Sequence, residues 1–487
     1  MIQFAAETAQ PNPRSTINSY RSFGYNLSTA IADIIDNSIS ANADNIEITF
    51  KWEGKSSFIS ISDNGNGMNL EELVIAMTPG SKDPEATRNL NDLGRFGLGL
   101  KTASFSQCKR LTVITKKEES NIFKRCWDID FINQEERWVL LDFVSNEAFI
   151  SILENQKSGT VVLWENLDRI VGEASIDNEA VKNAFYEELN RVKQHLSLVF
   201  HRFIESKRIK IVVNNLILEP WNPFLLNLVP KPEMGQIEIL HNNVEVTYFV
   251  LPHMSKISHE NYEKSGGPLG WYQQQGFYIY RGDRLLVTGD WLGIEKKREY
   301  SKLARIAVNF PNTGDFDWNL DIKKSTATPP IEIRKDLGRI ARIAIMKSAK
   351  IYNWRGQKTI SSEFSSSNIE PLWIDEKNRE GIKKYKINRK HPIIKSILSN
   401  QNVLLSKALK LLEDNVPIEL IIGNQNEDPS FHELEKSSDI PSDELISLAI
   451  ELYQIYKSQG ITANLAKQQI MQSIPFNLFP LINDYLK

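Results

Sequence analysis

Only two cysteines, Cys108 and Cys126, occur in the 487 residues of the sequence. Two thiols cannot complete a structural zinc site alone and give no disulfide framework, so a reducing compartment fits. No apolar run approaches the roughly 20 residues that a membrane-spanning helix needs. The start, "MIQFAAETAQPNPRS", lacks a basic stretch leading into an apolar one, so no secretory leader is expected. The resulting expectation is a cytoplasmic protein with no membrane attachment. Strong charge of one sign is missing too. A net charge of −3 excludes global attraction to nucleic acid or anionic lipid, and such a partner must meet a local patch. No internal repeat is found, and no acid or histidine cluster near the C-terminus has the spacing of a nuclease metal site. What remains is an ordinary globular composition, 41% apolar and 24% charged, in a chain long enough for about three domains.

Residues 1–25 read as a polar, proline-containing arm. A helix pattern follows from Asn26 to Ala43, then strand-like "NIEITFKW" and "SFISIS", a glycine-bearing turn and the helix "LEELVIAM". A polar segment, Thr78 to Gly99, leads to a helical "KTASFSQC". β-Branched and aromatic content marks "RLTVITK", "IFKRCWDI", "ERWVLLDF" and "GTVVLWEN" as strands. Strands in succession after a helix point to an α+β sandwich, not an alternating doubly wound sheet. A long amphipathic helix, Asn178 to Ile204, connects to a second α+β unit that closes with a helix near residue 350. "SSEFSSS" (Ser361 to Ser367) reads as a linker, and the rest is expected to be mostly helical.

Four motifs carry chemistry. On the first helix Asp33, Asp36, Asn37 and Ser40 share one face, opposite Leu27, Ile31, Ile34 and Ile35. A stripe of short oxygen-bearing side chains costs helix propensity and suits a hard cation or a polarised water. In "SDNGNGMN", Asn-Gly by itself signals a hairpin turn. Its Gly65 and Gly67 equally allow close approach of a flat ligand, and Asp63 could accept from an exocyclic amine. In "GRFGLGLKTAS" (Gly94 to Ser104) three glycines precede a helix start, where exposed N–H groups attract phosphate. "SGTVVLW" places Thr160 at a strand start.

The order and spacing of these motifs resemble the superfamily of gyrase, heat-shock chaperone, histidine kinase and MutL ATPases (GHKL) over about residues 15–170. The resemblance implies a Bergerat-type ATP-binding α/β sandwich that uses ATP and Mg²⁺. Asp33 then stands at the general base and Asn37 at the metal ligand. Asp63 stands at the adenine-reading aspartate, with Gly65, Gly67 and Met68 shaping the pocket and Thr160 beside adenine. Gly94, Arg95, Phe96, Gly97, Leu98, Gly99, Lys101 and Thr102 stand in the lid over the phosphates. Two positions depart from the pattern. Asp33 replaces glutamate, shorter by roughly 1.5 Å, which implies slow hydrolysis or a backbone that sits closer. Ser40 replaces an aspartate common in relatives.

His195 and His201 follow the ATP-binding segment instead of preceding it, unlike a histidine kinase. "GFYIYRGDRLLVTGDWLG" (Gly276 to Gly293) resembles the transducer (S5-type) hairpin of prokaryotic MORC-like and MutL-like proteins. By the same resemblance Lys324 in "NLDIKKS" is the lysine that reaches the γ-phosphate, with Lys323 as its neighbour. The implied domains are an arm (1–25), an ATP-binding domain (26–175), a connector helix with a transducer-like domain (176–355) and a mostly helical region (356–487). The zinc-binding reader of many eukaryotic relatives is missing. The implied function is a nucleotide-gated dimeric clamp with DNA and partner proteins, a nuclease or helicase, in anti-phage defence or restriction. The alternatives are a chaperone-like ATPase and a nucleotide-sensing scaffold. Two basic runs, Glu295 to Arg305 and Ile382 to His391, are candidate DNA contacts.

Overall fold

The computed structural model describes residues 11–81, 99–311, 318, 327–355, 372–377, 383–391, 394–395, 398, 403–414, 441, 443–458, 460–473, 476, 479 and 481–486. They fall into two units that divide after Ala349. The expected linker at Ser361 to Ser367 lies outside the described residues.

The first unit opens with α1 (Pro13–Arg21), inside the segment expected to be an arm. Asn12 caps it, proline occupies its first turn, and Ile17 and Arg21 are buried. Then come α2 (Leu27–Ser40), β1 (Asn45–Lys51), β2 (Phe58–Asp63), α3 (Leu70–Met77), α4 (Gly99–Gln107), β3 (Arg110–Lys116) and β4 (Ile122–Asp128). Two helices that patterning did not reveal, α5 (Ile129–Glu135) and α6 (Ala148–Glu154), precede β5 (Gly159–Glu165). The strand expected over 136–143 is reduced to one bridge between Leu141 and Cys126; α5 ends just before it, in a left-handed turn at Glu136.

The first sheet has the order β4-β3-β5-β2-β1, extended by β6 (Lys210–Val213) and β7 (Leu216–Ile217). Only β1–β6 is parallel among its pairs. The two-residue period of β1 sends Ile46, Ile48 and Phe50 into the core and leaves Glu47 and Lys51 exposed. The helix over 178–204 divides into α7 (Glu179–Val199) and α8 (His201–Glu205). Phe185, Leu189, Val192, Leu196 and Val199 of α7 join the same core as Ile31, Ile34 and Ile35 of α2. Residues beyond 175 therefore complete the first layer, as far as Leu218.

The second sheet consists of β8 (Glu233–Met234), β9 (Glu238–Leu240), β10 (Val244–Val250), β11 (Gly276–Arg281), β12 (Arg284–Asp290) and β13 (Ala304–Phe310). Its order is β12-β11-β13-β10-β8, with β9 also on β10. Two short helices, α9 (His259–Ser265) and α10 (Gly270–Gln273), lead into β11. The long α11 (Ile331–Arg355) covers the sheet with Ile333, Leu337, Ile340, Ala341 and Ala344, spaced along one helical face. The expected α+β class holds for both layers.

The second unit is partly helical. A hairpin of β14 (Trp373–Lys377) and β15 (Lys383–Ile387), absent from the sequence-based expectation, accompanies α12 (Val403–Asp414), α13 (Asp443–Ser458), α14 (Ala463–Met471) and α15 (Ile482–Tyr485). Leu452, Tyr456, Ala466 and Ile470 centre its core. No helix among the described residues is long and apolar enough to cross a membrane.

Candidate active site

Strand period builds one end of the site. Ile59 and Ile61 of β2 point into the helical layer, so Asp63 points the same way. In β5 the residues Val162 and Trp164 do this, and Thr160 shares their parity. In β3 it is Leu111 and Val113, and Thr115 shares theirs. The register sets Asp63 opposite Thr160, and Thr160 opposite Thr115. Three adjacent strands thus end in polar residues on a face that is otherwise apolar. Thr115 Oγ1 lies 3.1 Å from Thr160 Oγ1 and donates to the Gly159 carbonyl at 3.1 Å.

Asp63 is buried, 6% exposed. Ser38 Oγ on α2 donates to its Oδ2 at 2.7 Å, and the Gly65 N–H donates to its Oδ1 at 2.9 Å. Burial raises its pKa above the usual carboxylate range, while the bonds from Ser38, Gly65 and Thr160 pull it back. Each oxygen retains acceptor capacity for a further donor.

The loop after Asp63 is no hairpin turn. It leaves β2 and enters α3, where Asn69 and Glu72 form a capping box. Met68 donates its N–H to Thr115 Oγ1 at 2.9 Å, tying the loop to β3. Gly67 has φ +63, and a Cβ there would lie 1.8 Å from the Lys116 carbonyl oxygen. Its glycine is therefore demanded by the protein's own backbone, whatever binds nearby. Gly67→Ala is expected to cost more than about 2 kcal/mol, since left-handed backbone alone costs roughly 1–2. Chemical denaturation measures this, and a loss below about 0.5 kcal/mol, the surface-substitution range, would contradict it.

The helix α2 brings its polar stripe to the same region, and the two carboxylates of the stripe, Asp33 and Asp36, are buried. Asp33 is buried, and the Tyr25 hydroxyl donates to its Oδ2 at 2.7 Å. The first residue of α4 sits close by: a Cβ on Gly99 would be 3.7 Å from that same oxygen. Asn37 is exposed. Asp36 is fully buried against Arg284 of β12, whose Nε donates at 2.8 Å. Ser40 Oγ donates to the Asp36 carbonyl at 2.8 Å, an ordinary helix-interior use.

Lys101 and Thr102 are buried on α4. The Lys101 ammonium donates to the Ala76 carbonyl at 2.9 Å, in the last turn of α3, where a cation matches the helix dipole. Gly94, Arg95, Phe96, Gly97, Leu98, Lys323 and Lys324 lie outside the described residues. His201 bonds Tyr280 OH at 2.9 Å and Glu205 at 3.3 Å, a buried structural contact. Patterning alone did not reveal Tyr25, Ser38 or Thr115. For Thr115 a signal existed, its parity with Leu111 and Val113 in "RLTVITK".

The donor set fits a nucleotide with a hard metal ion. It offers a buried carboxylate for an amine, an exposed amide oxygen for the metal and a helix start for phosphate. Among the described residues no group of three His, Cys, Asp or Glu could hold a metal. A metal bound here would rely on one side-chain oxygen together with phosphates and water.

Residues 25–160 match the model of the family described as histidine kinase-, DNA gyrase B- and HSP90-like ATPase. This segment is thus similar to the ATP-binding segment of the GHKL ATPases. Its relatives include ATPase morc-1 of Caenorhabditis elegans, 33% identical over 90 residues, which are 18% of this chain and 10% of the worm protein. DNA mismatch repair protein MutL of Thermotoga maritima is 32% identical over 97 residues, 20% of this chain and 19% of that protein. The chain thus matches only a tenth to a fifth of these relatives' own length. Among solved structures, the ATPase and transducer domains of DNA topoisomerase II from Balamuthia mandrillaris align over 68% of this chain and 86% of that one, at a TM-score of 0.38 and 12% identity.

Proposed function

We propose that the protein binds and hydrolyses ATP with Mg²⁺ and works as a nucleotide-gated dimeric clamp in the cytoplasm. The observation that carries this reading is the buried Asp63 at the polar end of β2, beside Thr160 and Thr115 and below α2. An exocyclic amine that donates to Asp63 would be read there. Asn37, one helical turn beyond Asp33, would offer its oxygen to Mg²⁺, which when bound neutralises charge on the phosphates. Asp33 would orient the attacking water and take its proton, with the Tyr25 hydroxyl fixing the carboxylate. The transducer-like role of the second sheet, a γ-phosphate contact by Lys324, and action on DNA with partner proteins in anti-phage defence or restriction extend the same proposal. The names of the relatives, an ATPase and a mismatch repair protein, support it.

Sedimentation of the full chain without nucleotide, with ATP–Mg²⁺ and with a non-hydrolysable analogue, each with and without plasmid DNA, tests the clamp. Dimers with ATP or the analogue that retain plasmid are expected. A monomer in every condition contradicts the clamp, and nucleotide-dependent dimers that never retain DNA point to protein clients. Asn37→Ala is expected to lose the Mg²⁺ dependence of nucleotide binding in a titration with and without the metal. Unchanged dependence would remove Asn37 from the metal.

A further inference from the structure

The β11–β12 hairpin ends in Arg281-Gly282-Asp283-Arg284, and its tip meets the first layer with both signs of charge. The Asp283 carboxylate pairs with Arg202 at 3.7 Å and with Arg208. Arg284 pairs with Asp36 at 2.8 Å, and these two side chains are 6% and 0% exposed. The Arg284 guanidinium also lies 4.5 Å from the centre of the Phe200 ring, at the end of α7. The tip is thus held by α2 on one side and by the α7–α8 region on the other.

A fully buried ion pair is a poor source of net stability, because desolvation offsets most of the attraction. What it does well is fix position, since a shift of either partner alone breaks a buried charge-assisted hydrogen bond. Asp36 lies in the helical turn between Asp33 and Asn37. Any shift of that turn must carry Arg284, and with it a short, sheet-anchored hairpin, or break the pair.

We propose that the Asp36–Arg284 pair is the joint that couples nucleotide at Asp33 and Asn37 to the β11–β12 hairpin, with Arg284 a positioning residue for turnover. This rests on the ATP site proposed above. A ligand that contacts α2 biases where the hairpin sits, and the hairpin reciprocally biases the Asp33 turn. Arg284 touches no reacting group, so its effect falls on turnover through the placement of Asp33.

The test is hydrogen exchange on the full chain with and without a non-hydrolysable ATP analogue and Mg²⁺, beside steady-state kinetics with ATP. Three proteins are compared: wild type, the neutral pair Asp36→Asn with Arg284→Gln, and Arg284→Lys. In the wild type the analogue should slow exchange in α2 and alter it in β11–β12. The neutral pair should keep the α2 effect and its KM, lose the hairpin effect, and fall about 10–100-fold in kcat. Arg284→Lys, which keeps the charge, should recover part of both. A hairpin response and kcat that survive in the neutral pair overturn the joint, as does a fall in kcat and binding in step with melting temperature. If the neutral pair does not fold, Arg284→Lys with kcat and hairpin response reduced together, at an unchanged α2 effect, supports the joint, and wild-type kcat, with or without the hairpin response, overturns it. No effect on α2 in the wild type means the ATP site itself is wrong. An α2 effect without a hairpin effect means that only the joint is wrong.

Discussion

Asp33→Asn is expected to lower ATP turnover by about 10²–10⁴-fold while ATP binding persists, the usual contribution of a general base. The substitution keeps the shape of the side chain and removes its ability to take a proton. The Tyr25 hydroxyl, 2.7 Å from Oδ2, can still donate to an amide oxygen, so the helix turn should not rearrange. Retained binding therefore separates loss of chemistry from loss of fold. Tyr25→Phe should be milder, since it removes one hydrogen bond to the carboxylate and leaves the base in place. Single-turnover hydrolysis with saturating ATP checks both. Wild-type rates in Asp33→Asn would remove Asp33 from the chemistry, and a neighbouring oxygen would have to supply it.

Arg284→Met should destabilise the first unit by about 3–5 kcal/mol, the cost of removing one member of a buried ion pair. Asp36 has no exposure to water, so its carboxylate cannot recover hydration when the guanidinium is removed. The contact of Arg284 with Phe200 is replaced by methionine packing, which keeps the volume nearly constant and isolates the charge effect. Adding Asp36→Asn to Arg284→Met should return much of the loss, because the buried carboxylate is neutralised as well. Denaturant unfolding of the three variants measures the cycle. A loss under about 1 kcal/mol in Arg284→Met would mean that the pair is solvated in solution, as exposed pairs of that worth are.

Much of the first layer was legible in the sequence because its elements are regular. The strand "RLTVITK" and the helix "LEELVIAM" coincide with β3 and α3 to the residue. Local pattern fails where a long-range partner decides the outcome. The strand expected over 136–143 finds one bridge at the sheet edge, between Leu141 and Cys126 of β4. The same holds for the site. Asp33, Asn37 and Asp63 could be read from spacing along a helix and from position at a strand end. Asp36 read as part of one polar stripe, yet its partner Arg284 lies 248 residues away, and nothing local announces it. Ser38 likewise depends on a contact made across the fold, with Asp63 25 residues on.

The central claim is that Asp63 reads an adenine nucleotide. Titration calorimetry of the wild type and of Asp63→Asn, with ADP–Mg²⁺ and GDP–Mg²⁺, tests it most directly. Loss of one hydrogen bond to a charged acceptor is worth about 1.5–3 kcal/mol, so ADP affinity should fall roughly 10–150-fold in the variant. The wild type should bind ADP and reject GDP, whose base offers no amine at the equivalent position. Equal binding of ADP by both proteins, or no binding by the wild type, would contradict the account.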